Sequence, residues 1–163
     1  MSRMFALAVA VVAGLAVAVA ARADEEKIPL DKLPKAVVDA VKAKFPKAEM
    51  KSAEKETEKG KTVYEVAIAD GDAKIEVTVT PEGKIVAAEK EIKLADLPKP
   101  VAAALDKAYP KAEIKKVEEI TKDDKVTYEV LLVSADKKKL EVVFDKDGKV
   151  IETEDKSKEK EGK

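Results

Sequence analysis

Residues 33–49 read LPKAVVDAVKAKFPKAE, and residues 97–113 repeat that stretch as LPKPVAAALDKAYPKAE. Aligning residues 33–68 with residues 97–132 needs no gap and gives 16 identities in 36 positions. The offset of 64 residues is longer than the periods of roughly 20–50 residues that are typical of solenoid repeats. The sequence therefore predicts two copies of one small unit that contains a helix and several strands.

A helix is predicted at the start of each copy. Leu33, Val37 and Val41 recur at helical spacing in the first copy, and Val101 and Leu105 do so in the second. One proline precedes each helix and another follows it. Proline is tolerated at the start of a helix, and the residue before a proline is driven out of helical conformation. Each helix is therefore expected to be short.

Strands are predicted after each helix, because β-branched and aromatic residues alternate there with polar ones. The alternating runs are TVYEVAIA at 62–69, KIEVTVT at 74–80, VTYEVLLV at 126–133 and KLEVVFD at 139–145. Residues 112–120 have near-helical spacing, but they lie between a proline stop and a hairpin, so we predict a strand there. With the strand that follows the last turn, each copy has four strands.

The predicted fold class is α+β, with two tandem repeats at residues 24–91 and 92–154. Each repeat is expected to be one helix packed on a four-stranded antiparallel sheet. A unit of about 60 residues without staples is marginally stable, and this chain has no Cys for disulfides. We therefore expect the two sheets to join or abut, giving about eight strands with both helices on one face and a shared core.

The two ends of the chain are predicted to lie outside the fold. Residues 1–23 combine a basic start, an uncharged Ala- and Val-rich run and a small-residue Ala-Arg-Ala site, which is the pattern of a cleaved signal peptide. The alternative is that this run is retained as a membrane anchor. The favoured interpretation places the protein in the periplasm or outside the cell. Residues 155–163 are highly charged and are predicted to be a disordered tail.

The composition argues against several classes of function. The chain has no His and no Cys, so the usual zinc and copper sites and the usual catalytic triads are not expected. After signal cleavage 30 basic residues face 33 acidic ones, a net charge of −3. Such a chain has little attraction for nucleic acid or anionic membranes. We predict a non-enzyme without catalytic residues, metal or cofactor, with no nucleic-acid partner and no membrane insertion.

Two acidic hairpins are the remaining candidates for chemistry. Asp70 with Asp72, and Asp145 with Asp147, could serve as acid–base pairs or bind Ca²⁺. Asp and Gly are also the ordinary residues of hairpin turns, and no further ligand completes either pair. The favoured interpretation is a structural turn.

One face of the predicted sheet is the candidate binding site. Tyr64 and Tyr128 share strand parity with Val66 and Val130 and are predicted to be core residues on the helix side. The opposite face carries charged residues and, in the second repeat, apolar ones, which is typical of a contact surface. A contact within the chain or between two copies is an equal alternative. The candidate site residues are Glu65, Glu76, Glu129, Glu141, Leu131, Val133 and Val143.

The motifs of both copies resemble those of the PepSY-like family. They are Leu-Pro before the helix, an aromatic residue with Pro after it, a Tyr-Glu-Val strand and a closing Gly-Lys turn. The resemblance covers residues 30–154. It implies an exported, non-enzymatic domain that binds or inhibits other proteins through the open face of its sheet. The alternative is an envelope module that self-associates, as a homodimer for example, or binds a small ligand.

Overall fold

The computed structural model describes residues 24–58 and 60–158. These residues form one antiparallel sheet in which nine strands follow each other in sequence order. The strands are β1 (Asp24–Ile28), β2 (Glu49–Glu58), β3 (Lys61–Asp70), β4 (Ala73–Val79), β5 (Ile85–Glu91), β6 (Glu113–Lys122), β7 (Lys125–Val133), β8 (Lys139–Asp145) and β9 (Val150–Asp155). Helix α1 (Lys35–Lys44) lies between β1 and β2, and α2 (Lys99–Ala108) lies between β5 and β6.

The predicted fold class, α+β with two repeats of one helix packed on a four-stranded antiparallel sheet, is wrong, because the described residues form one mostly β structure with a single nine-stranded sheet and two short α-helices. Strand β5 pairs with β6 from Ala87↔Lys122 to Glu91↔Glu118, which makes the sheet continuous across the boundary between the repeats. Strand β1 adds a ninth strand by pairing with β2. Both additions have the same cause, since an unpaired strand edge leaves backbone N–H and C=O groups that another strand can satisfy.

Prolines flank both helices and fix where they begin and end. Pro34 and Pro98 have extended backbones and precede the first helical residues. At the other end the N–H groups of Phe45 and Tyr109 still donate to the carbonyls of the fourth residues before them, at 2.8 and 2.9 Å. The next residue is proline in each copy, so both helices end after ten residues.

Both helices cover the same face of the sheet, but they cover two separate cores. In the first repeat Val37 and Val41 pack with Val66, Val77 and other strand residues. In the second repeat the apolar side of α2 packs with the corresponding residues of β6, β7 and β8. Between the cores, the helix side carries the cross-strand pair Lys90↔Glu119. The repeats therefore share a sheet, whereas the shared core that we expected is absent from the described residues.

The repeated tyrosines have equivalent environments, as the sequence predicts. Tyr128 is buried in the core of the second repeat, and Tyr64 packs against the core of the first. Residues 113–122 form strand β6, which confirms that the stretch after the second proline stop is extended.

The described chain keeps secondary structure through Lys158 at its C-terminal end. The predicted signal peptide, residues 1–23, lies outside the described residues. In the segment predicted to be disordered, Lys156–Lys158 instead form a 3-10 turn, because Lys156 is buried beside Glu141 and Glu154. Among the described residues, no helix has the length and apolarity to cross a membrane.

Candidate functional site

The face opposite the helices, called the open face below, contains all of the predicted site residues. The register fixes this, because Glu65 lies opposite Thr78, Glu76 opposite Glu89, and Glu118 opposite Glu129. These residues alternate with the buried valines of the helix side, so they point away from the helices. The predicted residues Glu65, Glu76, Glu129, Leu131, Val133, Glu141 and Val143 thus share one surface.

Eight glutamates cross the open face, one on each strand from β2 to β9. They form directly opposed cross-strand pairs, called the glutamate row below: Glu54↔Glu65, Glu76↔Glu89, Glu118↔Glu129 and Glu141↔Glu154. The row follows from the duplication, since each glutamate of the first repeat has a counterpart 64 or 65 residues later. Like charges directly opposite each other destabilise a sheet, so the row has no structural benefit of its own.

Lysines neutralise part of the glutamate row. Lys116 lies 2.7 Å from Glu118, and Lys156 lies 2.9 Å from Glu154 and 3.5 Å from Glu141. At the other end, the distance from Lys27 to Glu54 is 3.9 Å. Within the described residues, Glu65, Glu76, Glu89 and Glu129 form no ion pair with a lysine. Lys116 still interacts electrostatically with Glu76 and Glu89, and Lys116 and Lys156 do so with Glu129.

Three of these four glutamates hold their protons far more strongly than a free carboxylic acid does. Burial, reinforced by the neighbouring Glu76, raises the pKa of Glu65 to about 8. Burial, reinforced first by Glu118, raises the pKa of Glu89 to about 8. For Glu129, burial and the charge of Glu141 raise the pKa to about 7. Burial thus favours the protonated form of Glu65 and Glu89 near neutral pH.

The Lys116–Glu118 pair shows how strongly this face is desolvated. Burial raises the pKa of Glu118 above its ordinary value even though Lys116 hydrogen-bonds to it. For the Lys116 ammonium, burial favours loss of the proton, but the surrounding carboxylates outweigh it and the pKa is raised. One lysine therefore does not offset the cost of crowding carboxylates on this surface.

Glu89 is, with Glu118, the most buried of the four glutamates of the row that sequence reasoning missed, the others being Glu54 and Glu154. Its side chain is 7% exposed, yet within the described residues it makes no hydrogen bond and no ion pair. No fully enclosed side-chain oxygen of the described residues lacks a partner, so the Glu89 carboxyl reaches the surface of the open face. Strand alternation carried across the hairpin does not locate it, because the β4–β5 register shifts between Thr78 and Val79.

The apolar residues of the open face are half-buried. Leu131 lies between Lys116 and Glu141 in the register, and Val143 lies between Glu129 and Glu152. The long side chains of these neighbours reduce the exposure of the apolar groups. The patch expected on the second repeat is therefore smaller than the alternation of residues suggests, and it adjoins the glutamate row.

The acidic hairpin after β8 is a structural turn. One carboxylate oxygen of Asp145 accepts hydrogen bonds from the backbone N–H groups of Asp147 and Lys149, at 3.0 and 2.9 Å. In residues 24–58 and 60–158, no group of three or more Asp and Glu residues is placed to hold a metal ion. The Asp145 carboxylate therefore serves the turn.

A family model described as "Putative beta-lactamase-inhibitor-like, PepSY-like" matches residues 20–87 and, separately, residues 84–152. The chain belongs to the PepSY-like family. The two matches confirm the tandem repeat of PepSY-like units, and they extend over nearly all of the chain that the structure describes. No curated protein matches the sequence.

Solved structures of Bacteroides proteins share the fold. A "BLIP-like protein" of Bacteroides fragilis has a TM-score of 0.65 at 19% identity, covering 79% of this chain and 90% of that chain. A DUF2874 family protein of Bacteroides ovatus has a TM-score of 0.68 at 17% identity, covering 78% and 91%. A "putative periplasmic" protein of Bacteroides eggerthii has a TM-score of 0.67 at 16% identity, covering 76% and 89%. The location given for the last protein agrees with the prediction made from this sequence.

Proposed function

We propose that this protein is an exported, non-enzymatic binding protein that docks through its open face and thereby modulates or inhibits an envelope enzyme. The observation that carries the proposal is the asymmetry of the sheet. Both helices pack on one face, and the other carries the glutamate row with half-buried apolar residues beside it. Large, partly apolar surfaces ringed by charge are typical of protein contacts.

The family supports this proposal at a coarser level. Its description is inhibitor-like, and the similar fold of the B. fragilis protein carries the same association. The periplasmic description of the B. eggerthii protein and the signal-like residues 1–23 support export. Docking would leave the sheet intact, because a rigid antiparallel sheet presents fixed side chains to a partner.

A second candidate function is self-association through strand β9. This strand is an edge of the sheet, and Ile151 is 55% exposed on it. An exposed edge with apolar side chains is a template for pairing with another copy. The observation favours a structural module, and it involves a surface distinct from the open face.

Two matched variants separate the candidates. Leu131→Lys with Val143→Lys alters the open face, and Ile151→Lys alters only the edge. We expect the tagged native protein and the Ile151→Lys variant to retain the same enzyme from an envelope extract and to change its activity after purification. The open-face variant should do neither, while its circular dichroism spectrum stays native.

The opposite pattern would contradict the proposal. If the open-face variant retains the enzyme and its effect, the open face is not the docking surface. If size-exclusion chromatography with light scattering shows a dimer that Ile151→Lys dissolves, and no enzyme responds to the native protein, the second candidate replaces the first.

A further inference from the structure

We infer that the centre of the open face receives a positively charged, extended segment of a partner protein, with a Lys or Arg side chain seated against Glu89. This inference deepens the proposed function and rests on it, because it specifies the chemistry of the partner that docks on the same face. The glutamate row supplies the charge, and the buried, unpaired Glu89 supplies the position.

Charge complementarity identifies the kind of partner. Glu65, Glu76, Glu89 and Glu129 occupy strands β3, β4, β5 and β7 without a lysine partner in the described residues. Glu118 on β6 completes the series and is paired with Lys116. A cationic partner would draw these acids into their carboxylate form and displace their protons, whereas an acidic partner would meet like charge across the interface.

Glu89 marks where that charge is needed most. Its side chain is 7% exposed and has neither a hydrogen bond nor an ion pair among the described residues. Burying an acid without a partner is unfavourable, and such groups in native proteins are normally paired. A cation brought by the partner would pair with a carboxylate that has no hydrogen bond or ion pair of its own among the described residues and that interacts with Lys116 only through its charge.

The dimensions of the row favour an extended segment. Neighbouring strands lie about 4.8 Å apart, so the five strands from β3 to β7 span about 19 Å. An extended chain rises about 3.3 Å per residue and would cross that distance in about six residues, with alternate side chains facing the sheet. A segment with basic residues at every second position would therefore place three of them on the row.

A protein cation suits this surface better than a metal ion. No group of three or more Asp and Glu in the described residues is arranged as metal ligands. The carboxylates are spread along a line on successive strands, whereas a metal requires several oxygens around one point at about 2.0–2.6 Å. A line of separated acids fits a chain with separated ammonium or guanidinium groups.

Protonation of Glu89 makes binding of the cationic segment depend on pH. The raised pKa of Glu89, with burial and Glu118 as its main causes, means that the incoming cation displaces a proton. Binding should therefore strengthen as pH rises from 6 to 9, whereas exposed acids with ordinary pKa values would give no change in that range. The charged groups around Glu89 are Glu76 and Lys74 on β4, Lys116, Glu118 and Lys122 on β6, Glu91 on its own strand, and Glu65 and Glu129 beyond.

The experiment is a calorimetric titration of the full chain with a blocked hexapeptide of alternating Lys and Ser at about 20 mM salt, where electrostatic attraction is least screened. We expect the native protein to bind the peptide, with tighter binding at pH 9 than at pH 6. Glu89→Gln should weaken binding at pH 9 at least tenfold and reduce the pH dependence to the part that Glu65 and Glu129 contribute. Glu82→Gln, which removes an exposed charge from the β4–β5 turn, should bind like the native protein.

Several outcomes would overturn the inference. The native protein could fail to bind the peptide, or Glu89→Gln and Glu82→Gln could lose affinity equally. The peptide with acetylated lysines could bind as tightly as the charged one. Calcium, titrated as CaCl₂, could occupy Glu89 and exclude the peptide. Because glutamine resembles the protonated acid, Glu89→Gln should keep the native fold. If the peptide does not bind but Leu131→Lys with Val143→Lys abolishes enzyme capture, the proposed function stands and this inference alone falls.

Discussion

At the residue scale, the open face concentrates acids that the fold does not need. Glu65 and Glu89 have pKa values raised to about 8 because they are buried among other carboxylates. In the unfolded chain these groups would have the ordinary pKa of about 4.3. The native protein therefore binds more protons than the unfolded chain between these values.

The glutamate row was predictable only in part, because Glu65, Glu76, Glu129 and Glu141 follow from strand parity, whereas Glu89 depends on a pairing that no single strand reveals.

The first prediction concerns stability against pH. The contribution of Glu65 and Glu89 is fully present below about pH 4.3 and is lost as pH rises through about 8. We expect the free energy of unfolding in urea to fall by about 2 kcal/mol or more between pH 5 and pH 9. Glu89→Gln should flatten part of that slope, and Glu82→Gln should leave it unchanged. A native protein whose stability rises over this range would show that these acids are not buried as described.

At the element scale, the helices are held against hairpin turns by glycine. Gly83 has a φ of +87°, and a Cβ added there would lie 2.6 Å from the carbonyl oxygen of Ala36 in α1. Gly148 has a φ of +83° and meets the carbonyl oxygen of Pro100 in α2 in the same way.

The helices and turns were predictable because both copies contain them. Strand β1 was not, since its sequence DEEKI has little strand character and owes its conformation to the free edge of β2.

The second prediction compares two glycines with positive φ. Gly71 also has a left-handed backbone, with a φ of +61°, but an added Cβ would meet nothing within 4 Å. Gly71→Ala should therefore cost only the backbone strain, about 1 kcal/mol. Gly148→Ala adds a clash with α2 and should cost about 2–4 kcal/mol. Urea unfolding of both variants is the measurement, and equal losses would show that the turn and helix are not in close contact.

At the scale of the whole molecule, two small cores share one sheet. Each core lies under its own helix, and the repeats meet through the five paired positions between β5 and β6. The tandem repeat could be predicted from the repeated motifs, but the α+β fold class predicted for it was wrong. The number of sheets could not be predicted. The sequences of β5 and β6 do not show whether their edges pair with each other or face solvent.

The third prediction concerns a chain cut between Glu91 and Ile92. Each half keeps its core but loses the β5–β6 pairing, so we expect each to unfold at a lower urea concentration than the intact chain. Mixing the halves should raise the midpoint in a concentration-dependent way, since the two exposed edges can pair again. Isolated halves as stable as the intact chain, measured by circular dichroism, would mean that the shared sheet contributes nothing to stability.

The central claim is that the open face, with Glu89 at its centre, is the docking surface for a cationic partner. The most direct measurement is a two-dimensional ¹H–¹⁵N NMR titration of the full chain with the alternating Lys-Ser hexapeptide at pH 8. We predict amide shifts confined to β3–β7 around the glutamate row, with α1 and α2 unchanged and with little response in Glu89→Gln. Shifts centred on the helices or on β9, or an equal response in Glu89→Gln, would contradict the claim.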